Sequence, residues 1–596
     1  MAYLRSVQLT SRTRLLLAVL FLLAAAGFGY AMWARTQVRE LWGYLPLGLY
    51  LTAWAGGVLL LSRKRWGEGL VRRHLALSTL SGFLFGLGFP GYLPAPLLLL
   101  FAWIPLFIVQ RELRELASSR WAVFGYGLNA FLLYNVLATF WVTNTAFAAG
   151  LFAVGVNSLL MTIPWLLFDW ASRQSPNVSY LALAAYWISF EHLHYNWGLN
   201  WPWLTLGNGF AQFPGLIQWY EWTGVLGGSA WVFLVNWLTF RWLLRPFPRP
   251  VPLAPLLAIL LPVGLSFLRY FTYSESELPE ITVAAVQPNY EPHYAKFSAT
   301  EREVRQRFSQ LTLAATEAGP VDYLLLPETS VSRVVEDSPL DNPTLRTIAE
   351  TAARLPIGYL VTGFDGYHLF ADASEYTDAV RFFPNNQGGQ IALEALNGAL
   401  QVDLATDEVQ TYRKGVFVPG AESFPFRSTL FFLEPLVNSL GGTVAGRGTQ
   451  ERRLPLTSET AAVAPVICYE SVFGEYFTDY IREGAQAVFV MTNDGWWDNT
   501  AGHRQHLWFS SLRAIETRRA VVRSANTGVS AFINQRGEIV SRLGYGEEGV
   551  LRGKLRLNDA ITGYVRFGDI VARVALLLAV MGLLTTVARS LRRESK

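Results

Sequence analysis

The chain has 596 residues, of which 52% are hydrophobic and only 16% charged, against roughly 25% charged in soluble domains, so much of it belongs in lipid. Its net charge of +4 and pI near 9.0 do not describe a nucleic-acid footprint, because the basic residues collect at the ends of apolar runs rather than along one face. Seven of the 45 acids precede residue 271 and the other 38 fall in the 326 residues after it, which reads as a membrane half followed by a water-exposed half.

In chain order, the apolar segments that could cross a bilayer lie near 15–33, 45–61, 75–89, 95–109, 121–142, 146–170, 178–190, 223–244, 252–268 and 570–588; a spanning helix needs about 20 residues. The 75–89 and 95–109 pair is short and broken by Gly and Pro in "GFPGYLPAP", which predicts a tight hairpin. The first segment follows Arg5, Arg12 and Arg14. It is longer than the roughly 7–15 apolar residues of a secretory signal, and "AMWARTQ" is a poor cleavage site, so we expect an uncleaved anchor. Orientation follows from the loops that hold Arg and Lys, which stay cytoplasmic. Those residues gather in the even-numbered connections: Arg63, Lys64, Arg65, Arg72 and Arg73; Arg111, Arg114 and Arg120; Arg173; Arg241, Arg245 and Arg249. The odd-numbered connections are poor in them apart from Arg35 and Arg39, and the tail reads "RSLRRESK". The expectation is ten spans, both termini in the cytoplasm, and residues 271–566 on the outer face. The chain then divides into 1–65 with two extra spans, a helical membrane domain 66–270, the outer domain 271–566, and a last helix with its tail, 567–596.

The outer segment alternates apolar, β-branched runs with helical periodicity. Runs at "ITVAAVQ", "VDYLLLP", "IGYLVTGF", "AAVAPVICY", "QAVFVMTND" and "VVRSANTGVSAFIN" read as buried strands. "ATEREVRQRFSQLTLAATEAG" and "HRQHLWFSSLRAIETRRAVV" repeat apolar residues every three to four positions and read as helices. The pattern predicts an α/β domain, in which chemistry gathers at the C-terminal ends of strands.

Three polar groups sit at such ends: Glu328 in "LLLPETS", Lys414 in "VQTYRKGVFVPG" and Cys468 in "APVICYES". Cys468 is the only cysteine, so it forms neither an internal disulfide nor a multi-cysteine metal cluster. It is either a small buried hydrophobe or a nucleophile. Glu328 reads equally as a cap, and Lys414 as a solvated loop cation. Taken together they make a nucleophile, a base and a cation, with Lys414 expected to favour the reactive thiolate. A metal is not required. Of the seven histidines, His74, His192, His194, His293, His368, His503 and His506, only the paired ones approach ligand spacing.

From about residue 70 to 590 the chain resembles the apolipoprotein N-acyltransferases, the membrane-embedded branch of the nitrilase superfamily. The matching stretches are "LPETS", "YRKGVFVPGAESFPF", "VICYESVFGEY", "TNDGWWDNTAGHRQHLWFSSLRAIETRRAVVRSANTGVSA" and "GYVRFGD", with "WPWLTLGN" near Glu191 in the membrane half. The resemblance implies a multi-span helical domain plus a periplasmic αββα sandwich in a bacterial inner membrane. It implies Cys468 as nucleophile, Glu328 as general base and Lys414 as stabiliser of the tetrahedral intermediate. It also implies that the Tyr469 N–H completes the oxyanion hole and that Glu422, Tyr469 and Glu470 support the site. It further implies a ping-pong reaction with a phospholipid acyl donor and diacylglyceryl-apolipoproteins as acceptors, run by a monomer without cofactor, metal or nucleic acid.

The chain departs from the family pattern at four places. Phe297, after Lys296, stands at a substrate-binding position where the family has Trp. "PGAE" replaces "PFGE" before Glu422, His194 stands where an Arg often follows the membrane glutamate, and residues 1–65 fall outside the resemblance. The apolar stretch 426–442 reads either as a lipid-touching lid or as a buried helix. Two rival readings are a membrane-anchored amidase, for which one anchoring helix would suffice, and a transporter with a sensing domain. The latter needs charges facing a pore in mid-membrane, and only Asp169 and Glu191 are available, both near span ends.

Overall fold

A computed structural model describes residues 10–62, 69–176, 178–247, 249–296, 298–384, 389–424, 426 and 446–594. Each of the ten apolar segments coincides with helix: α1 (Ser11–Gln37), α2 (Leu45–Leu61), α3 (Gly69–Gly88), α4 (Ile104–Glu115, preceded by a 3-10 turn Pro96–Leu100), α5 (Arg120–Thr139), α6 (Phe147–Gln174), α7 (Ser179–Leu193), α8 (Tyr220–Leu243), α9 (Leu253–Thr272), and, after the α/β domain, α14 (Ile570–Glu594). Among the described residues, seven helices are long and apolar enough to cross a membrane; α2, α3 and α7 fall short by length or composition.

The membrane bundle is held by close backbone approach and by aromatic packing. Gly82 and Gly86 of α3 lie four residues apart against α5, where an added Cβ would meet Leu133 at 2.7 Å and Leu137 at 2.5 Å. That is the small-residue spacing by which helices approach in lipid. Trp103 fills the centre, 4.6 Å from the Trp187 ring, 5.1 Å from Phe85 and 5.0 Å from Phe233.

Between α9 and α14 lies a two-sheet sandwich. Its strands are β1 (Glu280–Gln287), β2 (Val321–Leu325), β3 (Val331–Val335), β4 (Ile357–Leu369), β5 (Arg381–Pro384), β6 (Gln390–Asp403), β7 (Val409–Arg413), β8 (Leu456–Thr457), β9 (Ala462–Ile467), β10 (Ala487–Thr492), β11 (Val521–Ala525), β12 (Ala531–Ile533), β13 (Ile539–Arg542) and β14 (Gly549–Arg556). The larger sheet runs β14-β1-β2-β4-β6-β5, with β3 on β4 and β7 on β6, and the smaller runs β13-β12-β11-β10-β9-β8. β1, β2 and β4 are parallel, as are β9, β10 and β11. Parallel strands are covered on both faces, which is why they read as continuous apolar runs. Along β1, Ile281, Val283 and Ala285 face the other sheet, while Ala284 and Val286 face the outer helices α10 (Glu301–Ala314) and α11 (Pro343–Ala353). On the far side, α12 (Gly474–Arg482) and α13 (Ala501–Thr517) cover the smaller sheet. Ala501, Phe509, Leu512 and Ile515 of α13 also join the core of the membrane bundle.

Two expected elements end earlier than the pattern suggested. The helix over "HRQHLWFSSLRAIETRRAVV" stops at Thr517 because Arg518 takes a left-handed conformation, φ 51°, and the residues after it become β11. "VVRSANTGVSAFIN" is two strands, broken at Gly528 with φ 158°.

The sandwich seats on one end of the bundle. The Gln505 side chain donates to the Pro90 carbonyl at 2.6 Å, Asn144 donates to the Trp497 carbonyl at 3.2 Å, and the Tyr469 hydroxyl donates to the Asn200 carbonyl at 2.8 Å. The connections after α3, α5 and α7 therefore meet the sandwich. Connections at the opposite helix ends bind basic residues instead: Arg173 donates to the Ser118 carbonyl at 3.2 Å, and Arg589 reaches Ser175.

Candidate active site

The ends of three strands converge on one buried cluster. Glu328 follows β2 by three residues, and Gly363 of β4 lets the chain pass there. A Cβ on Gly363 would lie 2.6 Å from the Glu328 Cα. Lys414 follows β7, its N–H donating to the Asn397 carbonyl of β6 at 2.9 Å. Cys468 follows β9 and opens a 3-10 turn (Cys468–Val472) with φ 46°, a left-handed backbone rare for a residue with a Cβ. The turn places the Cys468 side chain at the end of the strand, where it is buried at the edge of the core between the sheets.

The charged groups form a closed cluster. Lys414 Nζ lies 2.9 Å from both oxygens of Glu422 and 3.2 Å from Glu328 Oε1. Asn397 Nδ2 donates to the same two carboxylates, at 3.0 Å each. The altered "PGAE" loop still delivers Glu422: Gly420 turns with φ 82°, and the Val418 N–H donates back to Glu422 Oε2 at 3.0 Å. Lys414 is buried, 1% exposed, and burial opposes its charge, but Glu328 and Glu422 hold its pKa above the ordinary lysine value. Burial likewise opposes the Glu422 carboxylate, and Lys414 wins, holding it below the usual range.

Lys414 acts on the thiol in the expected sense, pulling the Cys468 pKa down, but it does not set the net direction. Burial pushes the Cys468 pKa up, and Glu328 pushes it further, against the opposing pull of Lys414. A side-chain hydrogen bond from Thr492 pulls in the same direction as Lys414, and the two together do not outweigh burial and Glu328.

Glu470 ties the two sheets together at this point. Its Oε1 accepts from the Gly415 N–H and from the Tyr412 and Tyr476 hydroxyls, each at 2.7 Å, and its Oε2 accepts from the Ile467 N–H at 2.8 Å. The residue after Lys414 and the residue before Cys468 thus share one buried carboxyl, whose pKa burial pushes up. Tyr469 is buried against Phe473, ring centroids 5.2 Å apart. Its hydroxyl holds the 194–219 connection, which is itself fixed by Glu191, whose Oε1 accepts from Trp187 Nε1 at 3.0 Å and from the Leu206 N–H at 2.8 Å. His194 packs between Phe190 and Trp197, ring centroids 4.6 and 5.3 Å away. Phe297 lies outside the described residues, as does all of 426–442 except Phe426, whose ring stands 6.1 Å from Trp197.

A second cluster, which sequence reasoning missed, lies beneath Cys468. Asp494 Oδ1 is 2.8 Å from His506 Nδ1 and accepts from Thr492 at 2.8 Å, while Arg523 pairs with its other oxygen. The Cys468 carbonyl accepts from Ser471 at 2.7 Å and lies 3.1 Å from His506 Nε2. Burial opposes ionisation of Asp494, but Arg523 and His506 hold it well below the carboxylate range, and burial together with Arg523 lowers His506. Ligand atoms of Cys468, Asp494 and His506 come within 4.8 Å of one another. They do not suit a metal, because Arg523 already neutralises Asp494 and His506 Nε2 faces Ser471 and a carbonyl.

A thiol, an ammonium and paired carboxylates at the strand ends of an αββα sandwich define a carbon–nitrogen hydrolase domain, here mounted on a membrane bundle. The family model described as carbon-nitrogen hydrolase matches residues 282–562, and the apolipoprotein N-acyltransferase N-terminal domain matches 81–238. Relatives named apolipoprotein N-acyltransferase run along most of the chain. The one from Chlorobaculum tepidum is 29% identical over 541 residues, 88% of this chain and 98% of its own. Those from Agrobacterium fabrum and Bradyrhizobium diazoefficiens are each 30% identical, covering 64% and 67% of this chain and 68% and 72% of theirs. The chain belongs to the apolipoprotein N-acyltransferase family.

Proposed function

We propose that this protein moves a fatty acyl chain from a membrane phospholipid to the N-terminal amine of a diacylglyceryl-cysteine on apolipoproteins, through a thioester on Cys468. The observation that carries the reading is the Lys414–Glu328–Glu422 cluster beside a lone thiol on a strained turn, on the face that seats on the bundle. Both substrates are anchored in lipid, so the reaction has to occur at the bilayer surface.

Since burial and Glu328 raise the Cys468 pKa, attack is coupled to proton transfer. Cys468 Sγ bonds to the ester carbonyl carbon as Glu328 takes the thiol proton. The oxyanion faces Lys414 and the Tyr469 N–H, fixed donors in a water-poor site. The carbon–oxygen bond to glycerol breaks, the alcohol oxygen takes the proton from Glu328, and the lysophospholipid leaves. The acceptor amine then attacks the thioester and gives a proton to Glu328. The carbon–sulfur bond breaks, and that proton returns to the sulfur. Glu422 and Asn397 hold Lys414 and Glu328 in register through both halves.

We place the sandwich on the outer face and both termini in the cytoplasm. The support is that the Arg- and Lys-rich connections lie at the helix ends away from the sandwich. Intact mass spectrometry of enzyme purified from membrane tests the chemistry: an acyl adduct on Cys468, released by hydroxylamine, is expected. Cys468→Ala should lack the adduct and all transfer while still folding. An adduct-free wild type, or an active Cys468→Ala, refutes the reading.

A further inference from the structure

We infer that the loop between α1 and α2, residues 38–44, is a positioning clamp on the turn that shapes the active site. Both helices lie outside the matched family regions, which begin at residue 81. Deepening the acyl-transfer reading, the inference rests on Cys468 as the reacting group.

The segment Asp494–Asn499 leaves β10 beside Cys468 and leads into α13, which carries His506. Its hinge is Asp498, a non-glycine residue at φ 56°. Left-handed backbone at a residue with a Cβ persists only where the surroundings hold it. Three groups from the membrane side do so. The Gly43 N–H donates to Asp498 Oδ2 at 2.8 Å, from a glycine that is itself left-handed, φ 58°. Asn144, between α5 and α6, donates through Nδ2 to both the Gly43 carbonyl, 3.1 Å, and the Trp497 carbonyl, 3.2 Å. Arg504 in the first turns of α13 donates to the Tyr44 hydroxyl at 2.7 Å. The hairpin is fixed in turn, since Trp54 donates to Asn129 at 2.9 Å and Tyr50 Oη lies 2.8 Å from Thr143 Oγ1.

From Asp498 the constraint runs to the nucleophile through short links. The Asp498 carbonyl accepts from the Thr500 N–H at 2.7 Å, and Thr500 caps α13. His506, two turns further on, meets the Cys468 carbonyl at 3.1 Å. That contact helps to hold the strained Cys468 turn, and with it the direction of the Tyr469 N–H. Trp497 is pinned on the same path, ring centroids 4.7 Å from Trp141 and 5.4 Å from His506. Gly43, Asn144 and Asp498 are positioning residues. None of them is proposed to touch substrate.

The test uses the full-length enzyme in detergent micelles. A synthetic palmitoyl phospholipid reports the single-turnover rate of Cys468 acylation by intact mass, and iodoacetamide reports the reactivity of the lone thiol without catalysis. Displacing a reacting group by about 1 Å can cost on the order of 10²-fold in rate. We expect Asp498→Ala and Asn144→Ala each to slow acylation about tenfold at an unchanged half-saturating lipid concentration. Iodoacetamide labelling should speed up severalfold as the turn loosens. Asp498→Asn keeps the acceptor and tolerates positive φ, and it should restore both rates. Tyr44→Phe, which removes one hydroxyl, serves if the alanine variants fail to fold, and should shift both rates in the same direction. Wild-type values of both rates in the folded variants overturn the clamp. A wild type that takes no adduct, with labelling still altered in Asp498→Ala, refutes the acyl-transfer reading and leaves the clamp standing.

Discussion

The site is assembled from two halves of different character, one from each sheet. The larger sheet supplies Glu328, Lys414, Glu422 and Asn397, and its carboxylates keep a little solvent exposure, 10% for the Glu328 side chain and 17% for Glu422. The smaller sheet supplies Cys468 and, beneath it, Asp494, His506 and Arg523, each with a fully buried side chain. The first half holds the charges to which we assign proton exchange with substrate. The second holds a backbone shape, and its charges are closed off from solvent. Mutation should therefore separate the halves in degree: the lower cluster acts first on stability, and the upper one acts on rate as well as stability.

The widest separation should come from Arg523→Met. It leaves Asp494 buried without its partner, a change that costs about 3–5 kcal/mol. Thermal unfolding in detergent should show a large drop, and a variant as stable as wild type would mean the lower cluster is not the support we describe. Lys414→Ala attacks the other half. Losing one oxyanion donor typically costs about 10²–10³ in rate, and we expect that loss in single-turnover acylation, together with a drop in thermal stability because Glu328 and Glu422 lose their buried counter-charge. Asn397→Ala removes a hydrogen-bond donor shared by two carboxylates. Bonds to charged groups contribute about 1.5–3 kcal/mol, so acylation should slow by roughly tenfold or somewhat more, and an unchanged rate would make Asn397 mere packing. The gentlest probe is pH. The thiolate is the alkylated species, and burial with Glu328 raises the Cys468 pKa. Labelling by iodoacetamide should therefore still be climbing at pH 10, where a thiol of ordinary pKa, about 8.5, has levelled off. A plateau near pH 8 would show the sulfur to be freer than the structure has it.

How much of this could be read beforehand depends on whether the cause is local. The membrane helices were legible because lipid demands long apolar runs, and α2 coincides with its expected 45–61, although among the described residues only seven helices, α2 not among them, are long and apolar enough to span. Glu328, Lys414 and Cys468 stood out because each is a polar residue closing an apolar strand, and the fold brings them together. Asn397 gave no such signal: it lies inside β6, and its partner Glu328 is 69 residues away. Arg523 sits within the apolar run of β11, where a sequence pattern cannot say that Asp494 will be its neighbour. The net shift of the thiol was not legible for the same reason: Lys414 pulls its pKa down as expected, and burial with Glu328 outweighs that pull. Spacing placed a lysine near the thiol, but nothing in the spacing says that two carboxylates lie closer to that lysine. Of residues 1–65 the pattern gave helices and no role. The contact from Gly43 to Asp498 spans 455 residues, and only the folded chain reveals it.

Tyr469 follows the nucleophile directly, and its hydroxyl is hung from the Asn200 carbonyl in a connection between membrane helices. This single bond bears on modularity. The soluble sandwich cannot be treated as a cassette, because the residue whose N–H would face the oxyanion has its side chain anchored in the other half of the molecule. A chimera that joins this sandwich to a foreign bundle must reproduce the height of one carbonyl above the bilayer, and grafting the strand ends alone would transplant the reactive groups without their alignment.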